Sequence, residues 1–230
     1  MLLTTGLEPG ISLLMFRHEE GSVLIVTDTL ATAPDGEAFM FQSKSWTLPH
    51  LNMAIAVTGI ANLGAVWNDV LRSSAIVQDI GMVDGFASEQ LRRIWVELQA
   101  ENPDTEGMHA TIYHFGFPKG SDRAVRYVYR SKKNFKSEFD EGPGFGVKPP
   151  PEGFELESPE SFDEFVELAK KIKTEQDAMP LTTRVAIGGE LYLTLLSNWG
   201  SQTLRMHRFD DHESSWREMI ARLNRVEGVA

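Results

Sequence analysis

The chain has 230 residues, 42% of them hydrophobic, which is enough apolar material for the core of one large domain. Its 22 Lys and Arg against 33 Asp and Glu residues give a net charge of −11, which disfavours binding to phosphate backbones and to anionic lipid surfaces. The absence of cysteine excludes disulfides, Cys-ligated zinc and a thiol nucleophile. We therefore expect a protein with no nucleic-acid or membrane partner and, without a signal or spanning sequence, a cytoplasmic one.

The N-terminal part of the chain predicts a buried β-hairpin. The turn-forming segment Glu8-Pro9-Gly10 separates a short leader from the first strand. The runs 11–17 and 23–27 are then continuously apolar or β-branched, and a glycine-containing turn joins them. This pattern is typical of a hairpin buried on both faces, so layers are expected above and below it.

The middle of the chain alternates between strand-like and helix-like periodicity. Strands are predicted at 45–48, 53–57, 108–117 and 123–130. Between the second and third of these, apolar residues at helical spacing predict two amphipathic helices, over 60–71 and 86–98. The last strand alternates charged and aromatic residues, so one of its faces is expected to be exposed to solvent.

The C-terminal part begins with the Gly- and Pro-rich segment 142–153, which we interpret as a loop. Ser158, followed by Pro159 and Glu160, predicts the N-cap and first turn of a third helix. The remaining periodic segments are three strands and a final helix, at 184–187, 191–196, 203–208 and 216–223. Helices in blocks around a β core favour an α+β fold, a four-layer αββα sandwich.

Three chemically distinctive residues recur at regular spacing: Ser12, Asp28 and Lys44 lie sixteen residues apart in each step. With Gly21 at the hairpin turn and Gly59 after a strand, the pattern resembles, without a gap, the catalytic half of proteasome β-subunits and of the peptidase ring of the bacterial ATP-dependent protease. The resemblance implies the αββα fold of N-terminal nucleophile hydrolases, in agreement with the order of the predicted elements.

In that family the nucleophile is the first residue of the mature chain, because its freed α-amino group is the general base for its own hydroxyl. The resemblance places Ser12 at this position, so catalysis requires cleavage after Ile11. We therefore interpret 1–11 as a leader or propeptide-like segment and 12–230 as a single domain. Since an α-amine has a reference pKa of about 8, part of it is neutral at neutral pH and no catalytic histidine is needed.

The resemblance also assigns supporting roles. Lys44 matches the family's active-site lysine, whose charge stabilises developing negative charge, and Asp28 matches the acid that keeps it charged and oriented. Gly59 matches the glycine whose N–H points into the oxyanion hole, and Thr32 matches a contact to the substrate backbone. Asp177 matches an accessory acid. Without the resemblance, Asp28 and Lys44 are an ordinary buried ion pair, and Asp177 is a helix-end carboxylate in solvent.

Three functions stay open at this point. The first is a peptidase that acts on peptides or proteins without cofactor or metal and is assembled into a homo-oligomeric ring, and the sequence identifies no ATPase partner for it. The second is a noncatalytic ring subunit that keeps its leader. It is favoured by Ile11, where the family has glycine, and by Pro143 and Pro180, where the family has accessory serines. The third is an amidase for a small metabolite.

One segment has the composition of a different kind of site. Residues 123–136 combine basic and aromatic side chains, as single-stranded nucleic-acid sites do. Because the net charge is −11, we favour instead an exposed strand face or a contact with an acidic neighbouring subunit.

Overall fold

The computed structural model describes residues 12–33, 36–101, 103–105, 107–180 and 183–227. Within these ranges the strands are β1 (Leu14–His18), β2 (Ser22–Asp28), β3 (Leu30–Thr32), β4 (Ala38–Phe41), β5 (Ser45–Leu48), β6 (Met53–Thr58), β7 (Thr111–Gly116), β8 (Val125–Arg130), β9 (Ser137–Asp140), β10 (Gly144–Lys148), β11 (Glu190–Ser197) and β12 (Gly200–Arg208). The helices are α1 (Ala61–Arg72), α2 (Ile80–Glu101), α3 (Phe162–Asp177) and α4 (His212–Glu227). The leader predicted at 1–11 lies outside the described residues.

Two five-stranded antiparallel sheets form the centre of the molecule. The first sheet has the strand order β10-β1-β2-β11-β12, and the second sheet has the order β5-β6-β7-β8-β9. Strands β3 and β4 form a separate two-stranded ribbon. The predicted hairpin is confirmed, because β1 and β2 pair with Leu14 opposite Thr27 and His18 opposite Val23.

The layers explain why β2 is continuously apolar. Val23 and Ile25 point toward the second sheet and pack in the core between the sheets. Leu24 and Val26 point the other way and pack against α3. A strand covered on both faces has no polar alternation, so the sequence reads as one apolar run.

Helices cover both outer faces. Helices α1 and α2 pack on the second sheet, where Trp67, Leu91 and Ile55 belong to one buried hydrophobic cluster. Helix α3 packs on the first sheet, and α4 packs against the ribbon through Met219. The expected α+β fold with a four-layer αββα arrangement is confirmed. No helix in the described part of the chain is long and apolar enough to cross a membrane.

The segment 142–153 is not simply a loop, because it contains β10, the edge strand beside β1. Gly146 lies opposite Phe16, and a Cβ at Gly146 would come within 2.4 Å of the Phe16 ring. The glycine therefore leaves room for the ring to lie across the neighbouring strand. The segment 142–153 thus has the composition of a loop, although part of it forms an edge strand of the sheet.

Two other predictions in the C-terminal part were wrong in detail. The N-cap of α3 is Ser161 and not Ser158, because the Ser161 Oγ accepts a hydrogen bond from the Glu164 amide at 3.3 Å. The segment 184–187 is not a strand. Its backbone is held by side chains of α3 instead, with the Val185 amide donating to Gln176 Oε1 at 2.8 Å.

Candidate active site

The centre of the candidate site is an ion pair between the two sheets. Asp28 ends β2 of the first sheet, and Lys44 directly precedes β5 of the second sheet. The Lys44 Nζ donates to Asp28 Oδ1 at 2.6 Å and to the Leu30 carbonyl oxygen at 2.6 Å. The Asp28 and Lys44 side chains are 0% and 1% exposed. The pair is therefore withdrawn completely from water, which the site roles and an ordinary buried ion pair both predict.

Two backbone amides complete the surroundings of the carboxylate. The Leu13 N–H donates to Asp28 Oδ1 at 2.9 Å, and the Gly188 N–H donates to Oδ2 at 3.1 Å. Both oxygens of Asp28 are thus satisfied, which is what a buried charge requires. The Leu13 contact also places the peptide that links Ser12 to Leu13 against the ion pair.

Burial and pairing act on this pair in opposite directions. Burial raises the pKa of the Asp28 carboxyl, while Lys44 and the two amides lower it. Burial lowers the pKa of the Lys44 ammonium, and the Asp28 carboxylate opposes this. The position of the proton between Nζ and Oδ1 therefore depends on the donors around the carboxylate.

Ser12 lies just before β1 and is 3% exposed. Its Oγ donates to the Val57 carbonyl oxygen of β6 at 3.4 Å, a long hydrogen bond. The Val57 amide in turn donates to the Lys44 carbonyl oxygen at 2.9 Å. The structure therefore brings Ser12, Asp28 and Lys44 together, through the Leu13 amide on one side and Val57 on the other.

Gly59 and Thr32 lie on the segments that flank the pair. Gly59 comes directly after β6 and has φ of 94°, and a Cβ there would be 2.0 Å from the His109 carbonyl oxygen. No other residue fits this position without moving the backbone. Thr32 ends β3, two residues after the Leu30 carbonyl that binds Lys44, and its side chain is half-buried.

Asp177 is not brought into contact with the ion pair. It is the last residue of α3, its side chain is 44% exposed, and it pairs with Lys173 at 2.8 Å and with Arg184 at 4.0 Å. The accessory role predicted for Asp177 would therefore have to pass through Lys173.

A cavity of about 360 Å³ is lined by residues next to Asp28 and Lys44 in the sequence, but not by the ion pair itself, and no sequence pattern pointed to it. Ser43 and Ser45, on either side of Lys44, contribute to its wall. Phe41 and His212 also line it, with their rings stacked at 4.6 Å. Because the lining comes from β2, β4, β5, β11, β12 and α4, only the folded chain assembles it.

The basic segment of β8 is neutralised by its neighbour in the sheet. Arg126 pairs with Asp140 and Arg130 pairs with Glu138, both on β9, and Lys133 also pairs with Glu138 at 2.9 Å. The acidic partner of this strand therefore lies within the same chain. Among the described residues, no group of three or more His, Asp or Glu side chains is placed to hold a metal ion.

No protein-family model and no curated protein matches the sequence. Solved structures do match. A Gly-1 mutant of Anbu from Hyphomicrobium sp. strain MC1 superimposes with a TM-score of 0.57 at 13% identity, over 95% of each chain. Anbu from Yersinia bercovieri, described as an ancestral beta-subunit, gives a TM-score of 0.55 at 11% identity, again over 95% of each chain. The chain thus has the proteasome-like fold of Anbu.

Proposed function

We propose that the protein is a proteasome-like N-terminal nucleophile hydrolase, a peptidase that cleaves amide bonds with Ser12 after removal of residues 1–11. One observation carries the proposal. Asp28 Oδ1 binds both the Lys44 ammonium at 2.6 Å and the Leu13 amide at 2.9 Å, so the residue after Ser12 is tied to the buried ion pair. Such a link would fix the position of a new N-terminus with high precision.

The proposed reaction begins with a free N-terminal serine. Cleavage after Ile11 frees the α-amine of Ser12, which takes the proton of the Oγ as that oxygen attacks the substrate carbonyl. The Lys44 charge favours the neutral amine before attack, and the Gly59 N–H stabilises the oxyanion. The tetrahedral intermediate releases the protonated amine product and leaves an acyl ester on Ser12. Water activated by the same α-amine hydrolyses the ester, and Thr32 holds the substrate backbone.

We also propose that the subunits form a homo-oligomeric ring that encloses the sites in the cytoplasm. Two observations support this assembly: the fold shared with an Anbu described as an ancestral beta-subunit, and exposed apolar side chains on outer helices, Met82 and Val96 on α2 and Leu223 on α4. Light scattering after gel filtration should give a mass several times that of one chain. A monomer at working concentration would argue against a ring.

The second candidate is a noncatalytic ring subunit that retains its leader. It is favoured by the burial of Ser12, whose Oγ is engaged with a backbone carbonyl, and by the contacts of Asp177 with Lys173 and Arg184. Pro143 and Pro180, which have no hydroxyl, occupy the positions of accessory serines in the family resemblance.

Intact mass and a hydroxyl-directed electrophilic probe separate these two functions. For the peptidase, we expect the mass of the purified protein to fall by residues 1–11 and the probe to label the new N-terminal serine. The Ser12→Ala variant is expected to stay unlabelled, while Ser43→Ala, which changes a neighbouring hydroxyl, is expected to label normally. A full-length mass that persists on long incubation, with no labelling, would contradict the peptidase and favour the noncatalytic subunit.

A further inference from the structure

The backbone segment 185–188 touches the candidate site without belonging to a strand. Its last residue, Gly188, donates its N–H to Asp28 Oδ2 at 3.1 Å and accepts from the Leu30 amide at 3.2 Å. Leu30 is the residue whose carbonyl binds the Lys44 Nζ. The conformation of Gly188 therefore bears directly on both members of the ion pair.

Lys173 of α3 binds the other end of the same peptide group. Its Nζ donates to the Ile187 carbonyl oxygen at 2.9 Å, and that oxygen and the Gly188 N–H belong to one planar peptide unit. A single peptide thus has a cation on its oxygen and the Asp28 carboxylate on its N–H. Hydrogen bonds in such a chain polarise one another, so the cation makes the N–H a stronger donor.

Lys173 is itself held tightly. Its side chain is 16% exposed, and it pairs with Asp177 at 2.8 Å and with Asp211, just before α4, at 2.6 Å. Burial lowers the pKa of Lys173, but its hydrogen bonds to the two acids more than offset this and raise the pKa above the ordinary value. Lys173 therefore remains charged at neutral pH. Asp211 also abuts Gly188, where a Cβ would lie 3.4 Å from its Oδ1.

We infer that Lys173 is a positioning residue for the candidate site: through the Ile187–Gly188 peptide it fixes the N–H that binds Asp28, and Asp177 acts by holding Lys173. The inference rests on the proposed function only where it concerns the effect of Lys173 on catalysis. Its effect on the Asp28–Lys44 pair comes from the contacts alone.

The charges that face Asp28 are accounted for from each element packed around it. Lys44 faces it from the position before β5, and the amides of Leu13 and Gly188 face it from the segments that precede β1 and β11. Behind the peptide lie Lys173 with its two acids, and Arg184 beyond Asp177. Removal of the Lys173 charge takes a nearby cation away from Asp28 and makes the Gly188 N–H a weaker donor to it. Both changes raise the pKa of its carboxyl.

The test is the titration of Asp28, monitored by carbon NMR of protein labelled at the aspartate carboxyl carbon and assigned with Asp28→Asn. In Lys173→Met the midpoint is expected to move to higher pH by about one unit. In Lys173→Arg, which keeps the charge and a donor, the Asp28 midpoint should stay close to that of the wild type. The matched control is Lys170→Met, one turn earlier on α3, where the lysine pairs with exposed Glu167, and the midpoint is expected to stay unchanged. An unchanged midpoint in folded Lys173→Met overturns the inference.

Two further measurements keep the role of Lys173 and the proposed function separable. If Lys173→Met does not fold, Lys173→Gln and Asp177→Asn are the replacements, and a midpoint unmoved in both overturns the inference equally. If the processed wild-type protein hydrolyses amides, the acid limb of its kcat profile should shift upward in Lys173→Met in parallel with the NMR midpoint. A wild-type protein without hydrolase activity contradicts the proposed function, whereas the NMR titration still decides the role of Lys173.

Discussion

A buried carboxylate and a buried ammonium stabilise a protein only while they form an ion pair with each other. Asp28 and Lys44 meet this description, so replacing one of them leaves the other charge buried and unpaired. We expect Asp28→Asn or Lys44→Met to lower the free energy of unfolding by about 3–5 kcal/mol, measured by urea denaturation followed by circular dichroism.

The double variant decides whether this loss comes from the pair. Asp28→Asn with Lys44→Met should lose clearly less than the sum of the single losses, because no unpaired charge remains. Arg93→Ala is the control, since Arg93 pairs with Glu97 at 3.9 Å on the exposed face of α2, and little change is expected there. Strictly additive losses at Asp28 and Lys44 would show that the pair is not coupled.

At this scale the sequence predicts the site in part. Ser12, Asp28 and Lys44 could be found from their types and spacing, because they lie in one continuous segment that is similar to a known pattern. Gly188 and Lys173 could not be found in this way. Gly188 reaches Asp28 through its backbone, 160 residues away in the chain, and a main-chain donor has no residue type to recognise.

Among the elements, β10 depends on a glycine that fits under an aromatic ring. A Cβ at Gly146 would come within 2.4 Å of the Phe16 ring. A Cβ at Gly144, two residues earlier in the strand, would have no atom within 4 Å apart from its neighbours in the chain. Although alanine has the higher strand propensity, we expect Gly146→Ala to destabilise the protein by about 1–3 kcal/mol, since Phe16 must move in a packed core.

The matched variant is Gly144→Ala, in the same strand. It should be neutral or slightly stabilising, because it only restricts the unfolded chain. Thermal unfolding of the two variants beside the wild type makes the comparison. Equal effects at the two positions would contradict the role assigned to the Phe16 ring.

The elements that the sequence predicted are those with a regular pattern of burial. The β1–β2 hairpin, the β5–β6 pair and helices α1 and α2 have apolar residues in strand or helix periods, and the structure contains all of them. The ribbon strand β4 was missed because Phe39 and Met40, adjacent in sequence, are both exposed and give no alternation. Residues 185–187 are apolar but are held by α3 side chains, so the composition of 184–187 predicted a strand that does not form.

For the molecule as a whole, His114 makes stability depend on pH. It is completely buried in β7 and accepts a hydrogen bond from the Trp67 indole N–H at 2.7 Å, which only the neutral ring can do. Burial lowers the pKa of His114 from 6.5 to about 3. Below pH 6.5 the unfolded chain therefore binds a proton that the folded protein excludes, so stability is lost as the pH falls toward 3.

The expected loss is up to about 1.4 kcal/mol per pH unit within that window. Urea denaturation between about pH 7 and about pH 4 should show a smaller loss in His114→Phe than in the wild type. At neutral pH this variant is expected to be less stable by about 1–3 kcal/mol, because the Trp67 N–H loses its acceptor. His50→Phe, at an exposed turn, should retain the wild-type slope, and an unchanged slope in His114→Phe would contradict the prediction.

The peptide between Ile187 and Gly188 has a consequence for how such proteins evolve. Both of its hydrogen bonds use main-chain atoms, so the side chain of Ile187 can change without removing either of them. Distant relatives could therefore keep the hydrogen bonds of this peptide although the amino acids around it differ. An alanine substitution at Ile187 would not remove either hydrogen bond. Exchanging the Gly188 amide for an ester, which deletes one N–H and no side chain, is the edit that would expose it.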